Sequence, residues 1–190
     1  MINDRWQDLQ QLEVPNSKQL EDIKSHLDLV LLAIEAIAEI TSEDILKAAK
    51  ELNLELIASD RISLWRLPQS NPHRKSTGGR KKLEVEEARS LVLIICYLAK
   101  QHQELIRRAV SLLEQITAQN KQPHQTALLG KYLDKFINYY QERIEVPALT
   151  LTQSLSQLAL KLLIDLLFYS GDRGHRLLWL AIFDSATIKK

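Results

Sequence analysis

Apolar residues recur along most of this chain at spacings of three and four, the period of a helix that buries one face. The first such stripe, Leu20, Ile23, Leu27, Val30, Ile34 and Ile37, predicts a helix from Ser17 to Ile40. Its middle, "LVLLAI", is apolar on every side, so several neighbours should cover it rather than one. Thr41 and Ser42 break the pattern and offer hydroxyl caps, with Glu43 and Asp44 where a helix amino terminus favours negative charge. A second, shorter helix is expected to reach Asn53. A further short one around Asp60–Arg66 would be anchored by Ile62 and Trp65 and ended by Pro68.

The longest stripe runs through Ala88, Leu91, Ile95, Leu98, His102, Leu105, Ala109, Leu112 and Ile116 without a slip. It predicts one helix from Glu84 to Asn120, roughly 54 Å long. A compact chain of this size has a radius of gyration of about 16 Å, so such a helix should span the whole domain as its spine. After a short connection at Asn120–Gln125, Leu129, Tyr132, Leu133, Phe136, Tyr140 and Ile144 form the next stripe. Two long helices joined by a short loop pack antiparallel, which makes this helix the expected partner of the spine's second half. Beyond Pro147, Thr150 or Thr152 can cap a strongly apolar helix ending at Gly171, after which "GDRGH" turns into "RLLWLAIFD". Residues 1–16 hold Trp6 but little periodicity and read as a flexible amino-terminal tail; residues 185–190 read as a carboxy-terminal tail. The expected fold is all-α, a single domain over residues 17–184 built as a bundle of about six helices around one long central helix.

Composition narrows this further. The chain has 190 residues, 45% of them apolar, with five glycines and five prolines, too few turn-formers for a sandwich or barrel. That length suits one domain and buries enough surface to need neither disulfides nor a structural metal. Cys96 is the sole cysteine, so an internal disulfide and a four-cysteine zinc site are both excluded. Its setting, "LVLIICYLA", should hide the thiol and raise its pKa. The five histidines, His26, His73, His102, His124 and His175, show no metal-ligand spacing, and no cofactor is expected. His102 on the apolar stripe reads as a core or partly exposed histidine rather than a catalytic one. Lys161 and Asp165, one turn apart, should mark the outer face of a greasy helix. No signal core and no membrane-spanning run is present, and a cytoplasmic location is expected.

Charge changes the picture most. The net charge is +1, yet Arg61 to Leu83 holds seven Lys and Arg and no Asp or Glu, leaving the remainder at 18 minus 24, or −6. A cationic segment therefore faces a mildly acidic body. Gly78-Gly79 beside Arg80-Lys81 lacks the G-x-x-x-x-G-K-[ST] spacing and a preceding strand, which excludes a phosphate-binding loop for nucleotide hydrolysis. The candidate binding residues are Arg61, Trp65, Arg66, His73, Arg74, Lys75, Arg80, Lys81 and Lys82, on or beside a basic loop at 68–83. They predict a non-enzymatic binding or regulatory protein. Its cations would dock a protein partner with an acidic surface while Trp65 supplies an apolar anchor.

The alternative is a DNA- or RNA-binding protein, because residues 43–67 have the flavour of a helix-turn-helix, with paired alanines and a Leu-Asn-Leu turn. Against it, Leu54–Ile62 is too long for the usual tight turn. The last segment, with Arg173, His175 and Arg176 before an apolar septet, could lie on a membrane surface, but filling the bundle is the stronger expectation. A homo-oligomer sealed along the spine's far half is the remaining option.

"RISLWRLPQSNPHRK", "EARSLVLIICYLAK" and "LALKLLIDLLFYSGDRGHRLLWLAIFD" together resemble a family of uncharacterised, largely cyanobacterial proteins known only as a domain of unknown function. The resemblance covers Leu27 to Asp184. It implies a cyanobacterial source and a cytoplasmic helical protein, and it brings no catalytic residues with it.

Overall fold

The polar interruptions in the sequence become helix ends in the computed structural model, which describes residues 2–54, 83–118, 127–141 and 148–187. Among the described residues the chain forms eight helices: α1 (Ile2–Gln10), α2 (Ser17–Ala38), α3 (Ser42–Glu51), α4 (Val85–Gln101), α5 (Gln103–Ala118), α6 (Ala127–Gln141), α7 (Ala148–Tyr169) and α8 (Gly174–Thr187). The fold is all-helical over these residues. Asn16 caps α2 by accepting the Gln19 N–H at 3.0 Å, and Gln19 Oε1 accepts the Asn16 N–H at 2.9 Å, a reciprocal capping box. Thr41 and Asp44 repeat the device at α3. α2 stops at Glu39, in the left-handed region at φ 53°, and α3 is followed by Asn53 at φ 54°.

The centre of the bundle is α2, which packs against α4, α5, α6, α7 and α8. Ile23, Leu27, Val30, Leu31, Ala33, Ile34 and Ile37 are all buried, as an element apolar on every side requires. α4 lies beside it, buried almost continuously from Glu87 to Ala99, and also receives α1, α3 and α8.

Two expectations are corrected here. The predicted spine is two helices, interrupted at His102, where φ −104° and ψ 20° leave the helical region. Backbone pairing carries across the break, since the His102 N–H reaches Leu98 O at 3.0 Å and the Ile106 N–H reaches His102 O at 3.1 Å. What changes is the phase. Beyond His102 the buried residues are Ile106, Ala109, Val110 and Leu113, whereas Leu105 is exposed and Leu112 only half-buried. The break turns α5 so that its main contact is α7, the most extensive helix pair in the bundle, with α6 touched less. The central role thus passes from the predicted spine to α2.

The second correction concerns residues 2–10, which form α1 rather than a flexible tail. Leu9 is fully buried, and Trp6 and Leu12 pack against the core. The spacing Trp6–Leu9–Leu12 is helical but too short for a periodic pattern to stand out.

The last helix fills the bundle, with Leu178, Trp179 and Ile182 buried and Leu177 and Leu180 on the outside. No helix among the described residues is long and apolar enough to cross a membrane.

Candidate functional site

All nine residues expected to bind a partner, Arg61, Trp65, Arg66, His73, Arg74, Lys75, Arg80, Lys81 and Lys82, lie outside the described residues, as does the short helix expected at Asp60–Arg66. The structure fixes the two points between which that segment runs. Leu54 packs against the core, with its N–H on Ala49 O at 2.9 Å, and Leu83 is buried just ahead of α4. Both belong to the α3–α4 face. This face is held by buried Ile45, Ala48 and Ala49 and, at its edge, by Tyr97, whose hydroxyl donates to Glu51 and accepts from Gln101 Nε2 at 2.8 Å. The hydrogen bond to the Glu51 carboxylate holds the Tyr97 phenol above its ordinary pKa. Glu84, Glu86 and Glu87 follow Leu83 in the first turn of α4, where negative charge complements both the helix dipole and the preceding cations.

A second polar site lies where α1 crosses α4 and α8. His175, at the start of α8 and 5% exposed, has Nε2 at 3.2 Å from Asp8 Oδ2. Arg176 Nη1 lies 3.5 Å from the other oxygen of the same carboxylate. Arg5 and Lys100 both approach Asp172, at 3.6 and 3.5 Å. Deeper in, Arg89 of α4 is 5% exposed. It donates from Nη2 to the Leu12 carbonyl at 3.2 Å, lies 3.9 Å from Glu86, and sits 5.6 Å from the centre of the Trp179 ring. That stacking on a buried indole is a cation–π contact. Neither Arg89 Nε nor Trp179 Nε1 has a hydrogen-bond acceptor among the described residues.

This cluster is suited to holding a carboxylate or a carbonyl rather than to moving protons. Burial lowers the His175 pKa more than the Asp8 carboxylate raises it, so the imidazole is neutral at physiological pH and donates to Asp8. Burial also pushes the nearby Cys96 thiol up to about 12 and keeps it protonated. Elsewhere, His26 of α2 is desolvated and faces Lys161, which lowers its pKa in both ways. Tyr132 buries its hydroxyl between α6 and the core, far above its ordinary pKa for the same reason. Asp165 is half-buried, and burial raises its pKa while Lys161 opposes the rise. His102 is partly exposed and ends α4. No group of three metal-binding side chains occurs among the described residues.

The α1 junction was only half visible in the sequence. Arg173, His175 and Arg176 stood out as a cationic group before an apolar run, but their acid, Asp8, sits 167 residues away in a stretch without periodicity. Arg89 gave no signal at all, being one cation in the first turns of an apolar helix.

A family described as a protein of unknown function, DUF3038, matches residues 20–184. The chain belongs to this family. The match takes in α2 to α8 almost entirely and begins after α1. No curated protein and no solved structure matches the chain.

Proposed function

We propose that this DUF3038 protein is a non-enzymatic binding or regulatory protein that docks an acidic protein partner through its basic segment. The observation that carries the reading is the charge distribution: seven cations and no anions between Arg61 and Leu83, on a chain whose remainder sums to −6. Such a segment concentrates a positive field at one place and steers acidic surfaces towards it. Trp65 with Arg61 and Arg66 would supply the desolvated anchor that charge alone lacks, and His73, Arg74, Lys75, Arg80, Lys81 and Lys82 the surrounding contacts. The flanks support this reading, because Leu54 and Leu83, the described residues on either side of the segment, both pack into the core. Docking would take place in a cyanobacterial cytoplasm, where this family is expected.

Nucleic-acid binding is the second reading, favoured by one feature. The first half of the helix-turn-helix-like stretch is a real helix, α3, with Ala48 and Ala49 buried against α4 and a left-handed Asn53 after its end. Affinity capture from a native lysate separates the two. Intact protein is compared with a variant carrying serine for Arg74, Lys75, Arg80, Lys81 and Lys82, each with and without nuclease. One protein recovered only by the intact form, whatever the nuclease treatment, supports docking. Recovered nucleic acid supports the second reading, and identical recovery by both forms removes the basic segment from either.

A further inference from the structure

α1 packs against both α4 and α8, and the surface it covers there is equipped for an acidic helix. His175 and Arg176 close on one carboxylate, that of Asp8, and Arg89 reaches the Leu12 carbonyl beside the Trp179 ring. Arg89 Nε and Trp179 Nε1, both buried, keep hydrogen-bonding capacity that α1 leaves unused. α1 is a weak occupant of this surface. Nine residues fall short of the length at which a helix holds itself together in water, so α1 depends on its docking. That docking rests on one fully buried side chain, Leu9, the partly buried Trp6 and Leu12, the two part-buried hydrogen bonds to His175 and Arg89, and ion pairs open to solvent. α1 also lies outside the region that matches the DUF3038 family, joined to the bundle by a link whose Gln11, Glu13 and Val14 are exposed.

We propose that α1 is a releasable strap occupying a receptor surface for a short acidic amphipathic helix, so that its departure offers Arg89, His175 and Arg176 to the carboxylates of a partner's helix. Tethering gives α1 a high effective concentration, which keeps the surface covered until a competitor arrives or the strap is weakened. None of the residues invoked for this site belongs to the basic segment.

Hydrogen exchange on the full chain tests the strap, and peptide binding tests the surface beneath it. Amides of residues 2–12 should exchange at least about tenfold faster than those of α4, as locally opening segments do. Asp8→Asn with Leu9→Ala should raise that rate by about tenfold or more, since a buried leucine is truncated, and leave α4 unchanged. A labelled peptide of residues 2–14, INDRWQDLQQLEV, should bind this full-length double variant saturably and at least about tenfold more tightly than the intact protein, whose surface is covered. The same peptide carrying Asp8→Lys should lose that binding. Should the double variant lose its helical fold, Asp8→Asn alone, nearly equal in volume, takes its place. The proposal is overturned if α1 exchanges as slowly as α4, if the substitutions leave α1 protection unchanged, if the opened variant binds no peptide, or if the lysine peptide binds equally well. It is also overturned if serine at Arg74, Lys75, Arg80, Lys81 and Lys82 abolishes peptide binding, because the basic segment would then be the site.

Discussion

A Cβ added to Gly174 would collide with the Tyr169 carbonyl, and backbone cannot step aside as a flexible side chain can. The turn from α7 to α8 closes on this point, with the Gly174 N–H on Gly171 O at 3.0 Å. Gly171, the residue expected to end the helix, has only an ordinary contact, 3.8 Å from Phe168 O. Gly174→Ala should therefore destabilise the protein by about 3 kcal/mol or more and Gly171→Ala by less than about 1 kcal/mol. Urea midpoints of the two variants check this, and equal losses would show that the turn does not depend on Gly174. Burial depresses the pKa of both His26 and His175, so the unfolded chain, with histidine at about 6.5, binds more protons than the folded one. Stability is then full above that value and falls as pH drops through it towards the folded-state values. Denaturation at pH 7.5 and 5.5 should show a lower midpoint in acid, and a smaller drop in His26→Gln and in His175→Gln. A drop of unchanged size in both variants would assign it to other groups.

Among the elements, what was legible followed from local chemistry. The α2 stripe, the hydroxyl and carboxylate at the start of α3 and the acidic opening of α4 each carry their own signal, and each became the element expected. The buried faces of α2 and α6, Leu129, Tyr132, Leu133 and Phe136 in the latter, also follow the predicted stripes. The break at His102 was illegible because the apolar period passes through it unchanged. A helix phase shift of one residue exchanges Leu105 for Ile106 and Leu112 for Leu113, and all four are apolar. α1 was illegible because its attachment is by long-range pairing, which a short window cannot reveal. The turn after α3 offers a test at this level. Asn53 holds φ 54°, a region open to asparagine and glycine but unfavourable for residues with an ordinary Cβ. Asn53→Ala should cost about 1 kcal/mol and Asn53→Gly should be neutral or slightly stabilising. Equal midpoints for the two variants would contradict a left-handed turn there.

Over the whole molecule, the packed core and the charge separate into different parts of the chain. α2 and α4 supply a core that depends on apolar packing, while the cations between Arg61 and Leu83 stand apart from it in sequence, between two anchored leucines. Changing those cations should alter binding and leave stability within about 0.5 kcal/mol. The candidate site was legible as composition only, since charge is read directly from sequence whereas a partner's shape is not. The most direct measurement is the fluorescence anisotropy of a labelled glutamate-rich peptide titrated with the intact protein and with the five-serine variant, at 50 and 200 mM salt, beside an oligonucleotide of equal charge. The account predicts that the intact protein binds the peptide, that binding weakens with salt, that the variant binds about tenfold or more weakly, and that the oligonucleotide is not preferred. Equal peptide binding by both proteins, or tighter binding of the oligonucleotide that the variant loses, would contradict it.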